Sequence, residues 1–524
     1  LRTLFSPLRA AILLCSCAAI LFHGGPLQAA TSTEQAILER LAALEQNQRR
    51  LESELQARDA RIRDLEQRLV TQPTAADKVE QSIAGAPVTI SPPVAAAAPV
   101  TAAAPTAAAQ TAPMSDTPGD GKEYFGRFKP GQGGFVIADT PKGSANLGLW
   151  AYVRYLNQLE LDKSYTDSFD RTFEVDRRND IQFNKVNLSF SGWLLDPDFR
   201  YLTYVWTNNT AQGDGAQVVV AGNFKYRFNP AVDVGVGIDA LPGTRSMYGS
   251  FPYWNKVDMR TMADEFFRPS YTTGIWSAGV LDEGQGLTYK LMLGNNLSQL
   301  GVNAAKLDGT LDTWSGRLQW QPSTGEFGPQ GGWGDFEMHE HLATQFGLSA
   351  TYSREDRQSQ PGTEDVNNTQ IRLSDGTRLF LPGAFATDGA IERATYQMVS
   401  ADAGLKYQGF DLSGAYYARW LDSFKAQGDI PVDNLFDYGF ELQAGYMFMP
   451  RLLQGYIASS KIYGEYGNPW DAAVGVNWFP MRTRLVRLNG EILYTQDSAV
   501  GNSSAPYIVG GNGPALNTNI EMKF

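Results

Sequence analysis

The stretch 516–524 reads LNTNIEMKF, and its alternation carries the fold class. Leu516, Thr518, Ile520, Met522 and Phe524 fall on one side of an extended chain, and Asn517, Asn519, Glu521 and Lys523 on the other. Successive side chains of a β-strand point to opposite faces, so this spacing separates apolar from polar, whereas a helical period would mix the two sets. Working upstream, the same period recurs. Val486, Leu488, Gly490, Ile492 and Tyr494 oppose Arg487, Asn489 and Glu491. Tyr438, Phe440, Leu442, Ala444, Tyr446 and Phe448 oppose Gly439, Glu441, Gln443, Gly445 and Met447. Leu287, Tyr289, Leu291 and Leu293 oppose Thr288 and Lys290. Val232, Val234, Val236 and Ile238 alternate with Asp233, Gly235, Gly237 and Asp239, and Phe224, Tyr226 and Phe228 with Asn223, Lys225 and Arg227.

A soluble sandwich, such as a secreted glycan-binding domain, would also alternate. Two features favour a membrane barrel. The apolar faces are rich in rings almost to their ends, as an aromatic girdle requires. The opposite faces mix glycine with charges of both signs, which a water-filled interior tolerates and a packed core does not. Lipid offers backbone polar groups no partners, so a spanning sheet must close on itself. A domain over 123–524, roughly 400 residues with a strand about every 25, allows about 16 antiparallel transmembrane strands, even-numbered as bacterial barrels are. Short connections at Asn229-Pro230, Met449-Pro450-Arg451 and Phe479-Pro480-Met481 alternate with long polar stretches at 352–376, 417–435 and 496–513. That pattern predicts short periplasmic turns, long outer loops, and both termini in the periplasm.

The N-terminal part reads differently. Residues 1–30 combine Arg2 and Arg9, an apolar run from Ala10 to Phe22, the breakers Gly24, Gly25 and Pro26, and small residues at Ala29 and Ala30, the parts of an export signal. Cys15 and Cys17 both lie there, so a disulfide framework is excluded. Cys17 also loosely matches a lipoprotein acylation box, but cleavage near Ala30 is the preferred reading. Within 31–70, Ile37, Leu41, Leu44, Gln48, Leu51, Leu55, Arg58, Ile62, Leu65 and Leu69 alternate spacings of four and three, a coiled-coil seam that calls for partner helices. Residues 71–122 are a linker rich in Ala, Pro and Thr.

The formal net charge of -12, without a basic tract, argues against nucleic acid. Alternation points Arg154, Lys185, Lys225, Arg227, Lys290, Arg317, Asp402, Glu441, Arg487 and Glu491 inward as pore-lining candidates, with Asp233 and Asp239. The competing reading is that these charges pair across neighbouring strands and brace the wall. Arg482, Arg484 and Arg487 form the densest basic group, with a rim role as an alternative. The acidic run Asp162, Asp167, Asp170, Asp176 and Asp180 reads by default as a solvated loop, with an inward-folded loop as the alternative. His339 and His341, beside Glu337 and Glu340, read as a polar strand end or loop rather than a metal site. No catalytic constellation stands out, so no enzyme activity, cofactor or metal is expected.

Several stretches resemble the phosphate-selective porin O/P family: FGRFKPG at 125–131, FFRPSYTTGIWSAG at 266–279, GLTYKLMLGN at 286–295 and AVGVNWFPMRTRLVRLNGEILYT at 473–495. The resemblance implies a 16-stranded, usually trimeric porin passing small anions or other solutes, with some relatives carrying a periplasmic N-terminal coiled coil. It also implies an inward-folded loop and arginine and lysine ladders. The acidic excess and sparse lysines depart from the phosphate-specific members. The terminal aromatic Phe524 is similar to the ends of outer-membrane barrels, where it acts as an assembly signal for the barrel assembly machinery. The expectation is a passive diffusion channel of the outer membrane, a homotrimer among outer-membrane lipid and lipopolysaccharide, with its coiled coil in the periplasm. The alternative is an envelope protein tethering that membrane to the peptidoglycan.

Overall fold

A computed structural model describes residues 128–129, 134–208, 217–299, 310–358, 366, 368–386, 389–501 and 506–524. The expected signal peptide, coiled coil and linker, with their seam residues and cysteines, lie outside the described residues. No helix among the described residues is long and apolar enough to cross a membrane, which says nothing about a barrel.

The strands in chain order are β1 (Phe128–Lys129), β2 (Gly134–Thr140), β3 (Gly143–Asn157), β4 (Ser164–Thr166), β5 (Thr172–Glu174), β6 (Asn179–Leu194), β7 (Asp196–Asn208), β8 (Gln217–Asn229), β9 (Val232–Ala240) and β10 (Tyr271–Asp282). There follow β11 (Leu287–Gly294), β12 (Thr313–Trp320), β13 (Ala343–Asp356), β14 (Ala390–Tyr407), β15 (Phe410–Gln427), β16 (Leu435–Met449), β17 (Leu453–Tyr463), β18 (Trp470–Trp478), β19 (Val486–Gln496) and β20 (Gly513–Lys523). A six-residue helix, α1 (Met262–Phe267), sits between β9 and β10.

β3 and β6 to β20, 16 in all, pair antiparallel with their sequence neighbours, and β20 pairs back onto β3. The sheet is closed, as the alternation requires. At the seam Phe524 exchanges both backbone hydrogen bonds with Leu149 (2.8 and 2.9 Å), extending β20 by one residue. Below it β2 takes over the same edge of β3, pairing Phe135 with Leu147. The two strands meet end to end at Gly134, whose φ of +90° and 2.2 Å approach of a would-be Cβ to the Leu147 carbonyl oxygen leave room for no side chain.

Outward positions are apolar and arranged in bands. Ring pairs Trp420–Phe436, Tyr438–Tyr463 and Trp470–Tyr494, with centroids 4.9–5.3 Å apart, surround the long-loop end. Phe199–Phe224, Trp320–Phe346 and Tyr446–Phe448 surround the short-turn end. Leu442, Ile457, Val474, Ile492 and Ile520 are exposed between them. This is an apolar belt with two girdles, the surface lipid requires.

Short and long connections alternate, with two refinements. β13 continues to Asp356 and β15 to Gln427, further than the polar composition of 352–376 and 417–435 suggested, because ladder pairing persists beyond the apolar face. The connection 321–342 between β12 and β13 falls at the short-turn end by strand parity, yet it is long.

Candidate functional site: the barrel interior

Segment 241–270 folds into the barrel, and residues 371–385 pack on the inner wall at Tyr396, Met398, Leu421 and Leu435; the acidic run at 162–180 is not the inserted segment. Residues 158–178 instead carry the small hairpin β4–β5, with Arg171 on Asp167 at 2.6 Å and the Ser168 amide on the Asp375 carboxylate. Segment 241–270 is apolar enough to pack inside a polar interior because the inner wall there carries small residues. Met259, Met262, Ala263, Phe266 and Phe267 cluster with Ala415, Tyr417, Ala458, Ile462, Ala473 and Leu493. The Phe267 ring stacks on Tyr417 at 5.4 Å, and the Tyr396 hydroxyl donates to the Phe267 carbonyl at 2.6 Å. The amide of Ala263 donates to Ser460 Oγ at 2.9 Å, and the Thr261 hydroxyl donates to Glu441.

Six of the inward-pointing candidates are buried where this segment meets the wall of β3 and β12–β20. Arg154 donates to Asn519 Oδ1 and to the Val257 carbonyl, both at 2.9 Å. Arg317 makes a two-pronged pair with Asp402 at 2.6 and 2.9 Å. Glu441 receives Thr261. Arg487 pairs with Glu521 at 2.6 Å and donates to the Trp254 carbonyl. Glu491 accepts from the Tyr456 hydroxyl at 2.8 Å, with Lys256 of the segment 3.7 Å away. None of the six is among the residues that line the cavity described next.

On the opposite side a cavity of about 1950 Å³ runs between the segment and the wall of β6–β9. Lys185, Lys225 and Arg227 line it. Lys185 reaches across to Asp258 of the segment at 2.6 Å, where the Tyr152 hydroxyl also donates at 2.7 Å. Lys225 and Arg227 share Asp233 at 3.3 and 2.9 Å. Lys290 lies in the wall beside the cavity, paired at 2.9 Å with Asp239, which lines it.

The lining continues to both ends of the barrel. Arg260, Arg268 and Arg372 lie towards the long loops, and Arg451, Arg482, Arg484 and Lys523 towards the short turns. With the three wall cations this makes, among the described residues, ten basic side chains against six acidic ones: Asp239, Asp258, Glu265, Glu283, Glu326 and Glu337. The interior is therefore biased opposite to the chain's net charge of -12. Rings line the same passage, among them Tyr204 and Trp206 on the wall and Phe251, Tyr253 and Trp254 on the segment. Arg260, Arg268, Arg372, Arg451 and Lys523 were absent from the expected set. The first four sit in connections, where no period tells inward from outward. Lys523 sits on the inward face of β20, and the alternation that placed Glu521 could have found it.

His339 lies in the connection between β12 and β13. Its ring is bonded on one side to Asp335 and on the other to Glu326 at 2.9 Å, and no group of three ligands forms among the described residues.

No protein-family model matches the chain, and no curated protein matches it. Solved structures that superpose on it include an anion-selective porin from Comamonas acidovorans, at 10% identity over 73% of this chain and 100% of that one, with a TM-score of 0.46. The trimer form of OmpT, an outer membrane protein of Vibrio cholerae, has 10% identity, the same coverages and a TM-score of 0.45. The outer membrane channel DcaP of Acinetobacter baumannii has 8% identity over 73% of this chain and 98% of that one, with a TM-score of 0.44. None of these three is described as phosphate-selective, and likeness this distant carries no functional argument.

Proposed function

We propose that this chain is an outer-membrane porin, a passive channel for small hydrophilic solutes that favours anions. The observation that carries the reading is the cavity along the barrel, with ten basic and six acidic side chains around it among the described residues of an acidic chain. Low-dielectric walls concentrate the field of such a lining, so the local excess and not the net charge governs which ion enters. The apolar belt supports the membrane location. The heptad seam at 31–70 supports an oligomer with its helices in the periplasm, and the resemblance to trimeric porins makes that oligomer a homotrimer. Phosphate and organic acids are the candidate anions, and membership of the phosphate-selective O/P family is part of the proposal, resting on the stretches quoted above. Its partners on this reading are outer-membrane lipid, lipopolysaccharide and the barrel assembly machinery, with Phe524 as the assembly signal. A second reading, favoured by the long N-terminal extension, gives 31–120 a tethering role towards peptidoglycan; the two roles are compatible.

The test is planar-bilayer conductance with a salt gradient. Stepwise insertions with a reversal potential of anion sign support the reading. Inserted protein that never conducts overturns the channel, and a cation-sign potential overturns the preference.

A further inference from the structure

Residues 321–342 stand out among the connections at the short-turn end. They run across the barrel mouth and are fastened at separate points. Asp335 accepts the Gly409 amide at 2.7 Å, and the Gln408 amide donates to the His339 carbonyl at 2.8 Å, which ties the segment to the β14–β15 turn. Lys406 Nζ donates to the Phe327 carbonyl at 2.7 Å. Glu337 takes both prongs of Arg484 at 3.0 and 3.1 Å, which ties it to the β18–β19 turn. The ring of His339 between Asp335 and Glu326 stiffens the segment itself.

Its other face meets the tip of the inward segment. The Trp333 amide donates to the Tyr253 carbonyl at 2.7 Å. Arg245 donates to the carbonyls of Gly331 and Gly332 at 3.0 and 3.2 Å, with its guanidinium 4.1 Å over the Trp333 ring. Gly249 and Phe251 to Trp254 present their remaining surface to the cavity. The apolar docking around α1 lies further along the chain; nearer the tip, Phe251 meets the Trp150 ring of β3 at 4.7 Å and Lys523 lies 4.5 Å over the Tyr253 ring, so wall and strap share the hold on it.

We propose that residues 321–342 are a strap, a second positioning element of the channel, which holds the tip 249–253 in place and thereby fixes the width of the passage between that tip and the β6–β8 wall. The proposal rests on the channel reading for its consequence and on these contacts for its existence. The tip keeps its contact with β3 through Phe251, and its strap side has two arrangements, held and released. The strap biases their ratio through its contacts with Tyr253 and Arg245.

Gly332→Ala is the informative variant. Gly332 has φ -65° and ψ 176°, which any residue adopts, but an added Cβ would stand 2.4 Å from Tyr253 Cβ and 2.5 Å from its carbonyl oxygen. The change wedges strap from tip, adds no charge and removes no cavity-lining side chain. His339→Ala loosens the strap at its far anchor, away from the tip, and serves should the wedge prevent folding. Heat-modifiable gel mobility confirms a closed barrel in each protein. Amide exchange at 249–253 should rise roughly tenfold, the factor that losing about one hydrogen bond's worth of holding energy produces. Single-channel records should gain current fluctuations while the reversal potential stays put. Folded variants with wild-type exchange and equally quiet currents overturn the strap. A wild-type protein that does not conduct overturns the channel reading instead, and exchange alone then decides the strap.

Discussion

The inner faces of β6–β9 and of β12–β20 carry the same residue types at the same period, yet they do different work. On the first, Lys185, Lys225 and Arg227 border open space. On the second, Arg317, Asp402, Glu441, Arg487 and Glu491 lie buried under an inserted segment, bonded to one another or to Glu521, Thr261 and Tyr456. The difference comes from the uncharged residues between the charges. Ala415, Ala458 and Ala473 leave recesses that accept Met262 and Phe266, whereas the β6–β8 face presents Asn187, Leu202, Tyr204 and Trp206, with no cluster packed over it. Alternation tells which way a side chain points; the volumes beside it tell whether it will meet water or protein.

The largest expected contrast is in stability. Arg317→Ala leaves the Asp402 carboxylate buried without its partner, and breaking such a pair costs about 3–5 kcal/mol. The folded barrel should lose its heat-modifiable form at markedly lower temperature. A variant as stable as the parent would mean that water reaches this wall, and the contrast between the halves would collapse. Replacing both members by apolar residues of similar size should cost much less, because no charge is then stranded.

The open wall should behave in the opposite way. Lys225→Gln and Arg227→Gln remove partly exposed partners of Asp233, so each should alter stability by about 1 kcal/mol or less. Their effect belongs in the reversal potential, which should move towards cations, further in the double variant than in either single one. A potential that does not move would transfer the selectivity to the arginines of the connections, Arg260, Arg268 and Arg372.

How much of this was legible follows from the same physics. The closed sheet was readable because period two persists in almost every strand, and the last strand states it most plainly in Leu516 to Phe524. The direction of Arg154 and Arg487 was readable for the same reason. What covers them was not, since the covering segment is short, mixed in composition and fastened by contacts far apart in sequence, such as Tyr396 to Phe267 and Arg154 to Val257. The acidic run at 162–180 drew attention by its charge, but a segment that packs inside needs apolar residues, which MADEFF at 262–267 has. The strap gave a weaker sign still: a long connection where neighbouring ones are short.

The smallest expected effect is a pH dependence located at that strap, on the packed side of the comparison. Burial opposes the charge on His339, but hydrogen bonds and attraction from Asp335 and Glu326 outweigh it and raise its pKa to about 9. Asp335, Glu326 and Glu337 are themselves held below the ordinary carboxylate range, burial being outweighed by His339 for the first two and by Arg484 for the third. Lys406, on the adjoining strand end, is the further cation facing this group. A group whose folded pKa lies above its unfolded value of about 6.5 contributes fully below that value and loses the contribution as pH rises through the folded one. The carboxylates work in reverse, contributing above their unfolded values of about 4 and losing the contribution on acidification. Channel currents should thus be quiet through neutral pH and begin to fluctuate as pH passes about 9. Other lumen cations also titrate at high pH, so the decisive comparison is with His339→Ala, which should already fluctuate at pH 7 and show no added step near 9. An alkaline step of equal size in both proteins would remove His339 from the strap's hold and leave the Glu337–Arg484 pair as its anchor.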